Sequence, residues 1–482
     1  MKGLLHSIIL YLKKKRVDYA DIRREKVTTE SIQVSDSLIE GFSAGVSEGI
    51  GIRVLYKGAW GFAASHALTE KDAFKTADEA ILIAKAFSSV NRVKVKFSEA
   101  PVCVDRYASP YGTNPFKVPA EEKIKLLLAI TEAALKVKKI EVCEAFMEFA
   151  RSEKEFVSTE GADITQSLLT SGGGYHVIAE DGHDIQRRSY PDAHHGLFAS
   201  KGYEIFDDMD MVSSVHRVTD EALSLLKAKQ CPVKETDIII DGAQMALQLH
   251  ESCGHPAELD RALGSEISFA GGSFLKPNFA GSFKYGSKLV NITADPSYPG
   301  GAGSYKYDDE GVEGKKVWLV KDGVFVSHLS SRESATAVKA KSNGSMRAES
   351  WGFMPLIRMS NISIEPGVPT VSELIADTKD GIFFSTNRSW SIDDLRLNFQ
   401  FGTEIAWEIK NGRLGRVLKN PLYSGMTPRF WAGCDAVCGP SDWRMWGLNS
   451  CAKGEPLQTI NVGHGASPAR FKKVSVGGSK EV

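Results

Sequence analysis

Segments in which apolar residues occupy every second position recur along the chain, and only a few helical segments separate them. Near the N-terminus, "YADIRREKV", "ESIQVSD" and "SLIEGFSAG" alternate in this way and predict three successive strands. The next stretch, "GIGIRVLYKGAWGFAAS", predicts a hairpin that turns at Lys57 and Gly58. Such strands bury one face only, so the helices between them pack on the sheets. The pattern therefore indicates a fold that contains both helices and sheets.

Helical periodicity is confined to a small part of the first domain. The first twelve residues carry an apolar stripe, and "TEKDAFKTADEAILIAKAF" begins with a Thr-x-x-Asp capping pair. A further helix opens at Pro119, and another is predicted from about residue 214 to 229. Residues 93–118 carry several prolines and are predicted to form a long irregular connection.

The pattern changes again after residue 229, which divides the chain in two. "KQCPVKETD" is interpreted as a linker, and beyond residue 233 one long helix, the one that carries His250, is predicted among short glycine-rich strands. The sequence therefore predicts an α+β fold. Residues 1–229 would form an N-terminal α/β domain with a mixed sheet and flanking helices, and residues 233–482 a C-terminal β-rich domain.

Composition and charge exclude several classes of protein. With 59 Lys and Arg against 60 Asp and Glu, the net charge of −1 gives no field that attracts nucleic acid or an anionic membrane. No apolar run reaches the roughly 18 residues of a membrane span, and the N-terminal basic residues follow the apolar ones, unlike a signal peptide. The seven scattered cysteines favour a reducing compartment. We expect a cytoplasmic protein without nucleic-acid or membrane partners.

The segment "GAQMALQLHESCGHPAELD" combines a good helix with residues that stop it. His250 and His255 are five residues apart, which on an α-helix separates their side chains by about 140°. Gly254 allows the positive φ of a helix end, and Pro256 biases the residue before it away from α geometry. We therefore predict a broken or kinked helix, with a wide turn that brings both imidazoles to the same side.

Two imidazoles and a carboxylate in this order are typical of zinc-dependent hydrolysis. Neutral imidazoles suit Zn²⁺, a catalytic zinc takes three protein ligands, and Glu251 could act as general base beside it. Without a metal, His250 would be an ordinary core or surface histidine and His255 a turn residue. Spacing leaves the third ligand open, and the candidates are Cys253, Cys434, Cys438, Cys451, His464, Glu258 and Asp260.

Other polar segments give weaker signals. "GGSFLKPNFAGSFKYGSKL" and "PSYPGGAGSYKYDDEG" lack a P-loop pattern. They are predicted to be loops over the site, or edges that pair with an extended peptide. The acidic residues Asp308, Asp309 and Glu310 are predicted to form a solvated turn, with binding of a cation or a substrate amine as the alternative. His194 and His195 are interpreted as structural residues, and His464 as a site residue that is not a ligand.

Several segments together resemble the TldD/PmbA metalloprotease family, and specifically its TldD branch. "HESCGHPAELD" is similar to the family's His-Glu-x-x-x-His signature, and "YADIR" with "GIGIRVLYKGAWGFAA" resembles its N-terminal domain. "GSYKYDDEG", "NGSMRAESW", "RMSN" and "NSCAKGEP" followed by "VGHGASPARF" resemble its C-terminal domain. The resemblance implies a barrel-like character for the second domain and a dimer, homodimeric or with a PmbA-type sister subunit, around a substrate tunnel.

The resemblance also implies the residues of the site and their chemistry. His250, His255 and Cys451 would bind Zn²⁺, and Glu251 would be the catalytic base. Near Cys451 this chain departs from the family's Cys-Gly-Lys-Gly-Gln-Pro, with Ala452 and Glu455 in place of glycine and glutamine. The implied activity is cleavage of small, unfolded or modified peptides in the cytoplasm. The alternative is a non-catalytic partner or regulatory subunit, because the family has also been called a modulator of DNA gyrase.

Overall fold

The computed structural model describes residues 2–193, 196–269 and 271–478. The first eight strands are β1 (Tyr19–Ser35), β2 (Leu38–Tyr56), β3 (Ala59–Ser65), β4 (Val104–Ala108), β5 (Ile140–Ser158), β6 (Asp163–Glu180), β7 (Ile185–Tyr190) and β8 (Leu197–Ala199). They form one sheet in the order β3-β2-β1-β5-β6-β4, and β7 and β8 also pair with β6. Because β4 runs parallel to β6 while the other pairs are antiparallel, the sheet is mixed, as predicted.

The predicted helices flank this sheet. They are α1 (Lys2–Lys14), α2 (Glu70–Val90), α3 (Ala120–Leu135), a short additional α4 (Ile205–Met209) and α5 (Met211–Leu226). Helices α1 and α2 bury apolar faces in one core with β1 and β2, and α3 and α5 share a second core with β5 and β6. Helix α5 begins and ends about three residues earlier than predicted. In the described ranges, no helix is long and apolar enough to cross a membrane.

Two details of the strand prediction were wrong. The first two predicted strands are one strand, β1, because Thr28 and Thr29 between them are β-branched residues that continue a strand. The third predicted strand likewise runs into the hairpin as part of β2. The predicted hairpin turn is confirmed, since Lys57 and Gly58 have φ of 47° and 73°. The connection 93–118 is not wholly irregular, because it contains β4, which adds to the edge of the sheet.

The C-terminal half contains two large sheets and one pair of short strands. Its strands are β9 (Lys229–Gln230), β10 (Lys234–Ile240), β11 (Ile292–Ala294), β12 (Val317–Lys321), β13 (Val324–Phe325), β14 (Met346–Arg347), β15 (Leu356–Ile357), β16 (Asn361–Ile364), β17 (Asp380–Ile392), β18 (Asn398–Lys410), β19 (Arg413–Lys419), β20 (Pro421–Met426), β21 (Cys434–Val437), β22 (Arg444–Lys453), β23 (Gln458–Ala466) and β24 (Ala469–Gly478). The order β17-β10-β24-β20-β18 closes on itself, since β17 also pairs with β18. The barrel-like character implied by the resemblance is therefore confirmed.

The second sheet of this half has the order β13-β12-β11-β16-β23-β22, and β14 pairs with β15 separately. The helices are α6 (Gly242–Leu249), α7 (Leu259–Ala262), α8 (Ser334–Ala337), α9 (Val371–Asp377) and α10 (Thr427–Ala432). Helix α6 leaves barrel strand β10 and packs against β16, β22 and β23 of the second sheet. The end of α6 is thus held between the barrel and the β22–β23 hairpin, where the candidate site forms.

Candidate metal centre

The end of helix α6 brings the two predicted histidine ligands together. The side chain of Asp241 caps the start of the helix and accepts a hydrogen bond from the N–H of Gln244 at 2.7 Å. The helix then widens into a π-helical turn over residues 250–254, where the N–H of His255 donates to the carbonyl of His250 at 3.1 Å. Such a turn accommodates one residue more than an α-helical turn. The predicted wide turn is confirmed, and it explains the five-residue spacing.

The backbone at this turn differs from the prediction in one respect. His255 keeps right-handed helical angles, φ −61° and ψ −44°, and Gly254 does not adopt a positive φ. Gly254 is required for close packing instead, because a Cβ there would lie 2.0 Å from Sδ of Met359. The glycine therefore leaves room for Met359, in the connection between β15 and β16, and does not end the helix.

Three potential ligand atoms converge in the interior. Nε2 of His250 lies 3.1 Å from Nε2 of His255, which lies 3.8 Å from Sγ of Cys451. All three side chains are buried, and their ligand atoms lie within 4.8 Å of one another. Atoms placed tetrahedrally at ~2.0–2.3 Å from one zinc ion would be about 3.3–3.6 Å apart. Two imidazoles and a thiolate are a donor set that zinc takes, so the residues present fit this metal.

A β-bulge positions Cys451. The pairing register of β22 with β23 shifts between Leu448 and Cys451, so that β22 carries one extra residue there. Bulges re-aim side chains and are frequent beside functional sites. After the bulge, Ala452 pairs regularly with Thr459. The strand thus accommodates the alanine that replaces the family's glycine.

The second nitrogen of each imidazole is held by a buried polar residue. Nδ1 of His250 lies 2.8 Å from Nε2 of His464, and Nδ1 of His255 lies 3.1 Å from a carboxylate oxygen of Glu258. A histidine that donates from Nδ1 presents the lone pair of Nε2 to a metal, and such partners orient the ring. His464 therefore contacts a candidate ligand without belonging to the group of three potential ligands. Glu258, one of the open ligand candidates, supports His255 in this geometry.

Glu251 lies beside the ligand group and is fixed by a residue that the sequence did not reveal. Its carboxylate accepts a hydrogen bond from Arg396 at 2.6 Å. Both side chains line a cavity of about 300 Å³, together with the three potential ligands. Arg396 lies in the tight connection between β17 and β18 and has a φ of 61°. No motif pointed to this residue, because its partner is 145 positions away along the chain.

The electrostatics of the cluster favour a thiolate at Cys451 and a neutral imidazole at His255. Burial acts to raise the pKa of the Cys451 thiol, but His250, His255 and Arg358 lower it well below the ordinary value. Burial opposes the charged form of His250, yet its pKa is raised because the Cys451 thiolate lies beside it. Burial lowers the pKa of His255 well below the ordinary value. A thiolate and a neutral imidazole are the forms that coordinate metals.

The other cysteine candidates behave as core residues. Cys253, Cys434 and Cys438 are buried, and burial raises the pKa of each thiol to about 12. Asp260 lies at the side of the cluster and binds Lys453 with both oxygens at 2.8 Å. In the described part of the chain, the group of His250, His255 and Cys451 is the one set of three that could hold a metal.

The acidic run 308–310 is not a solvated turn, and this prediction was wrong. Asp309 pairs with Lys154 at 2.6 Å, and Glu310 pairs with Arg53 at 3.1 Å. These carboxylates are buried against basic side chains of the N-terminal sheet. They join the two halves of the chain, and their negative charges are compensated there. The sequence did not reveal this role because the basic partners are distant in the chain.

The glycine-rich segments also differ from the prediction. Neither contributes to the described lining of the 300 Å³ cavity. The first braces the turn below the site, since Ser273 donates to the carbonyl of Pro256 at 2.7 Å and Tyr285 to that of Ser252 at 2.8 Å. The second, residues 296–311, contains the acidic run that lies between the two halves. The other interpreted pair, His194 and His195, lies outside the described residues.

Comparison with known proteins gives matches over most of the chain. Family profiles described as PmbA/TldA metallopeptidase domain 1, central domain and C-terminal domain match residues 20–84, 113–228 and 233–478. A metalloprotease of Methanocaldococcus jannaschii is 31% identical over 94% of this chain and 96% of its own length. A zinc metalloprotease TldD homolog of Saccharolobus solfataricus is 25% identical over 97% of this chain and 99% of its own.

Solved structures share the fold at lower identity. A candidate modulator of a DNA gyrase from Thermotoga maritima has a TM-score of 0.78 and 17% identity, covering 98% of this chain and 99% of that one. TldE from Thermococcus kodakarensis has a TM-score of 0.72 and 15% identity, covering 98% and 100%.

The fold and the site define an α+β protein with a candidate His/His/Cys metal centre beside a buried carboxylate. The chain belongs to the PmbA/TldD family of metallopeptidases. The resemblance of the sequence to the TldD branch is thereby confirmed.

Proposed function

We propose that this protein is a zinc-dependent peptidase whose metal is held by His250, His255 and Cys451. The observation that carries the proposal is the convergence of three buried ligand atoms beside Glu251 at one cavity. Three protein ligands with one remaining position are the arrangement of a catalytic zinc. Relatives named metalloproteases extend over nearly the whole chain, which supports the same reaction class.

Each residue around the cluster has its own role in the proposed peptide hydrolysis. When bound, zinc supplies a Lewis acid that lowers the pKa of water to about 7. Glu251 accepts the proton of the attacking water and returns it to the leaving amine. Arg396 keeps the carboxylate of Glu251 oriented through its hydrogen bond of 2.6 Å. His464 and Glu258 hold the two imidazoles through Nδ1, which would leave their Nε2 atoms free to bind the metal.

The size of the cavity supports small or unfolded peptides as substrates. A space of about 300 Å³ accommodates a few side chains, and a folded protein cannot enter it. We also propose a dimer, either of this chain with itself or with a PmbA-type sister subunit, and a cytoplasmic location in keeping with the free cysteines. Leu38, Phe42 and Val46, exposed by 71%, 50% and 64%, offer an apolar face on β2 for such a contact.

The decisive experiment measures zinc and peptide cleavage on the same preparations of wild type and Glu251→Gln. We expect about one zinc per chain in both proteins, because Glu251 is not a ligand. Cleavage should fall by about 10²–10⁴ in the variant, the usual contribution of a positioned acid–base group. Chelation should remove zinc and activity together from the wild type.

An exposed glutamate on β10 provides the control. Glu235→Gln removes the same charge outside the cavity and should leave both zinc and turnover unchanged. Full turnover in Glu251→Gln would contradict the mechanism, and loss of zinc there would make Glu251 a ligand. A wild-type protein without zinc and without cleavage would favour the alternative of a regulatory or partner subunit.

A further inference from the structure

The cavity beside the metal centre has one wall from the N-terminal domain. Asp192 follows β7, in the connection to β8, and lines the cavity together with Glu251 and Arg396. Arg396 is already bonded to Glu251 at 2.6 Å. The charges of Arg396 and Glu251 therefore balance each other inside the cavity. The carboxylate of Asp192 is an additional acidic group there.

Within the described ranges, no basic side chain pairs with Asp192. Its Oδ1 accepts a hydrogen bond from the N–H of Ala193 at 2.7 Å. Burial raises the pKa of Asp192 to about 7, and the nearby carboxylates of Asp241 and Glu404 act in the same direction. An ionised carboxylate in such surroundings is stabilised when a cation binds beside it.

Two aromatic side chains also belong to the lining of this cavity. Trp390 on β17 and Trp446 on β22 line the same cavity. The faces of indole rings attract ammonium groups, and a carboxylate supplies the opposite charge. An acid and two indoles around one small space are thus suited to recognise a protonated amine.

We propose that Asp192 is a specificity-determining residue that binds a protonated amine of the peptide substrate in this cavity. The inference rests on the proposed peptidase function. A peptide carries a primary ammonium group at its N-terminus and on lysine side chains, and both sources present the same chemistry to Asp192. The amine forms an ion pair and takes no part in the bond that is cleaved.

The test measures binding of four synthetic peptides to zinc-loaded Glu251→Gln by titration calorimetry. The peptides share one sequence and carry a free N-terminus or an acetylated one, combined with either lysine or glutamine at one internal position. We expect amine-bearing peptides to bind about 10- to 100-fold more tightly than the acetylated glutamine peptide. Of the two peptides with a single amine, the one that binds more tightly shows whether the N-terminus or the lysine is recognised.

The same titrations are repeated after a second substitution in the Glu251→Gln background. Asp192→Asn should abolish the preference for amines and leave the affinity for the acetylated glutamine peptide nearly unchanged. Asp208→Asn removes an exposed carboxylate that pairs with Lys201 at 2.7 Å, and this control should keep the preference. Asp192→Ser provides a second variant if the asparagine disturbs folding, which circular dichroism monitors.

Equal affinities for all four peptides, or an unchanged preference in folded Asp192 variants, would overturn the proposal. Cleavage by the wild type is measured on the same peptides. Cleavage without any amine preference rejects Asp192 and leaves the peptidase function intact. An amine preference that depends on Asp192 in a protein without cleavage rejects the peptidase function and leaves the binding site.

Discussion

Nε2 of His464 lies 2.8 Å from Nδ1 of His250, although the two residues are 214 positions apart in the chain. One belongs to β23 and the other to the wide turn after α6. From its strand, His464 thereby orients the imidazole ring of a proposed ligand on the turn. Its own burial, together with the charge of His250, lowers the pKa of His464 well below the ordinary value, so the ring is neutral at pH 7 and its Nε2 can accept.

The first prediction concerns this contact. His464→Ala leaves Nδ1 of His250 without its partner, and zinc affinity should fall by about 10- to 100-fold, the usual effect of losing a residue that orients a metal ligand. Competition with a chromogenic chelator measures the affinity. His328→Ala removes another buried histidine, one that contacts the carbonyl of Leu275 at 3.2 Å, and should leave zinc affinity unchanged. Equal affinities in the two variants would show that His464 has no role in holding the metal.

The second prediction separates Arg396 from the metal ligands. Arg396→Gln frees the carboxylate of Glu251 from its 2.6 Å hydrogen bond and leaves the ligand group intact. Zinc content should be unchanged while kcat falls by about 10- to 100-fold, because the base is misplaced. Arg416→Gln breaks a surface pair with Glu408 at 2.9 Å and serves as the matched control. Wild-type kcat in Arg396→Gln would refute the positioning role.

The third prediction identifies the sulfur ligand. Cys451→Ser should lose most of the zinc, since zinc prefers thiolate to hydroxyl. Cys434→Ser changes a buried thiol outside the ligand group and should keep its zinc. Metal analysis of both variants after dialysis decides the matter. Full occupancy in Cys451→Ser would remove this residue from the centre.

The fourth prediction uses the acidity of the same thiol. The charges of His250, His255 and Arg358 hold the pKa of Cys451 well below the ordinary value of a thiol, which favours its reactive thiolate in metal-free protein. Alkylation of Cys451 by iodoacetamide should therefore rise less between pH 7 and pH 9 than alkylation of an ordinary thiol, and zinc should block it. Cys253, with a pKa of about 12, should remain unmodified. A rate for Cys451 that rises about tenfold per pH unit over this range would indicate an ordinary thiol.

The fifth prediction concerns the physical state of the substrate. A cavity of about 300 Å³ admits an extended chain and excludes a folded domain. A small globular protein should be cleaved in its reduced, unfolded form and resist cleavage in its native form. Gel electrophoresis over a time course, with Glu251→Gln as the inactive control, gives the two rates. Equal cleavage rates for the native and the unfolded form would show that the reaction takes place on an open surface.

The parts of the fold set by local patterns were predictable from sequence. The capped helix after Thr69 and the positive-φ turn at Lys57 and Gly58 follow from rules that act within a few residues. The number of strands was not predictable in this way, because no local signal at Thr28 shows whether a strand ends or continues. Long pairing of β1 with both β2 and β5 supplies that information only in the folded sheet.

The candidate site likewise has residues that the sequence could reveal and residues that it could not. His250, Glu251 and His255 lie in one short motif, so their chemistry was visible in the sequence. Cys451 entered only through the resemblance of its segment to a known family, because several cysteines had equal claims. Arg396 carried no signal at all. Its part in the site depends on two distant segments meeting at the cavity, which is a property of tertiary packing.

The position of Asp192 at the cavity has a consequence for how this protein can evolve. The metal-binding turn and the bulged hairpin belong to one half of the chain, while this wall comes from the other. A substitution of Asp192 can therefore change which peptides are bound while the metal-binding residues and the catalytic base stay the same. The carboxylate proposed to select the substrate and the residues that hold the metal thus lie in different parts of the chain, and a library randomised at Asp192 would vary the first while leaving the second unchanged.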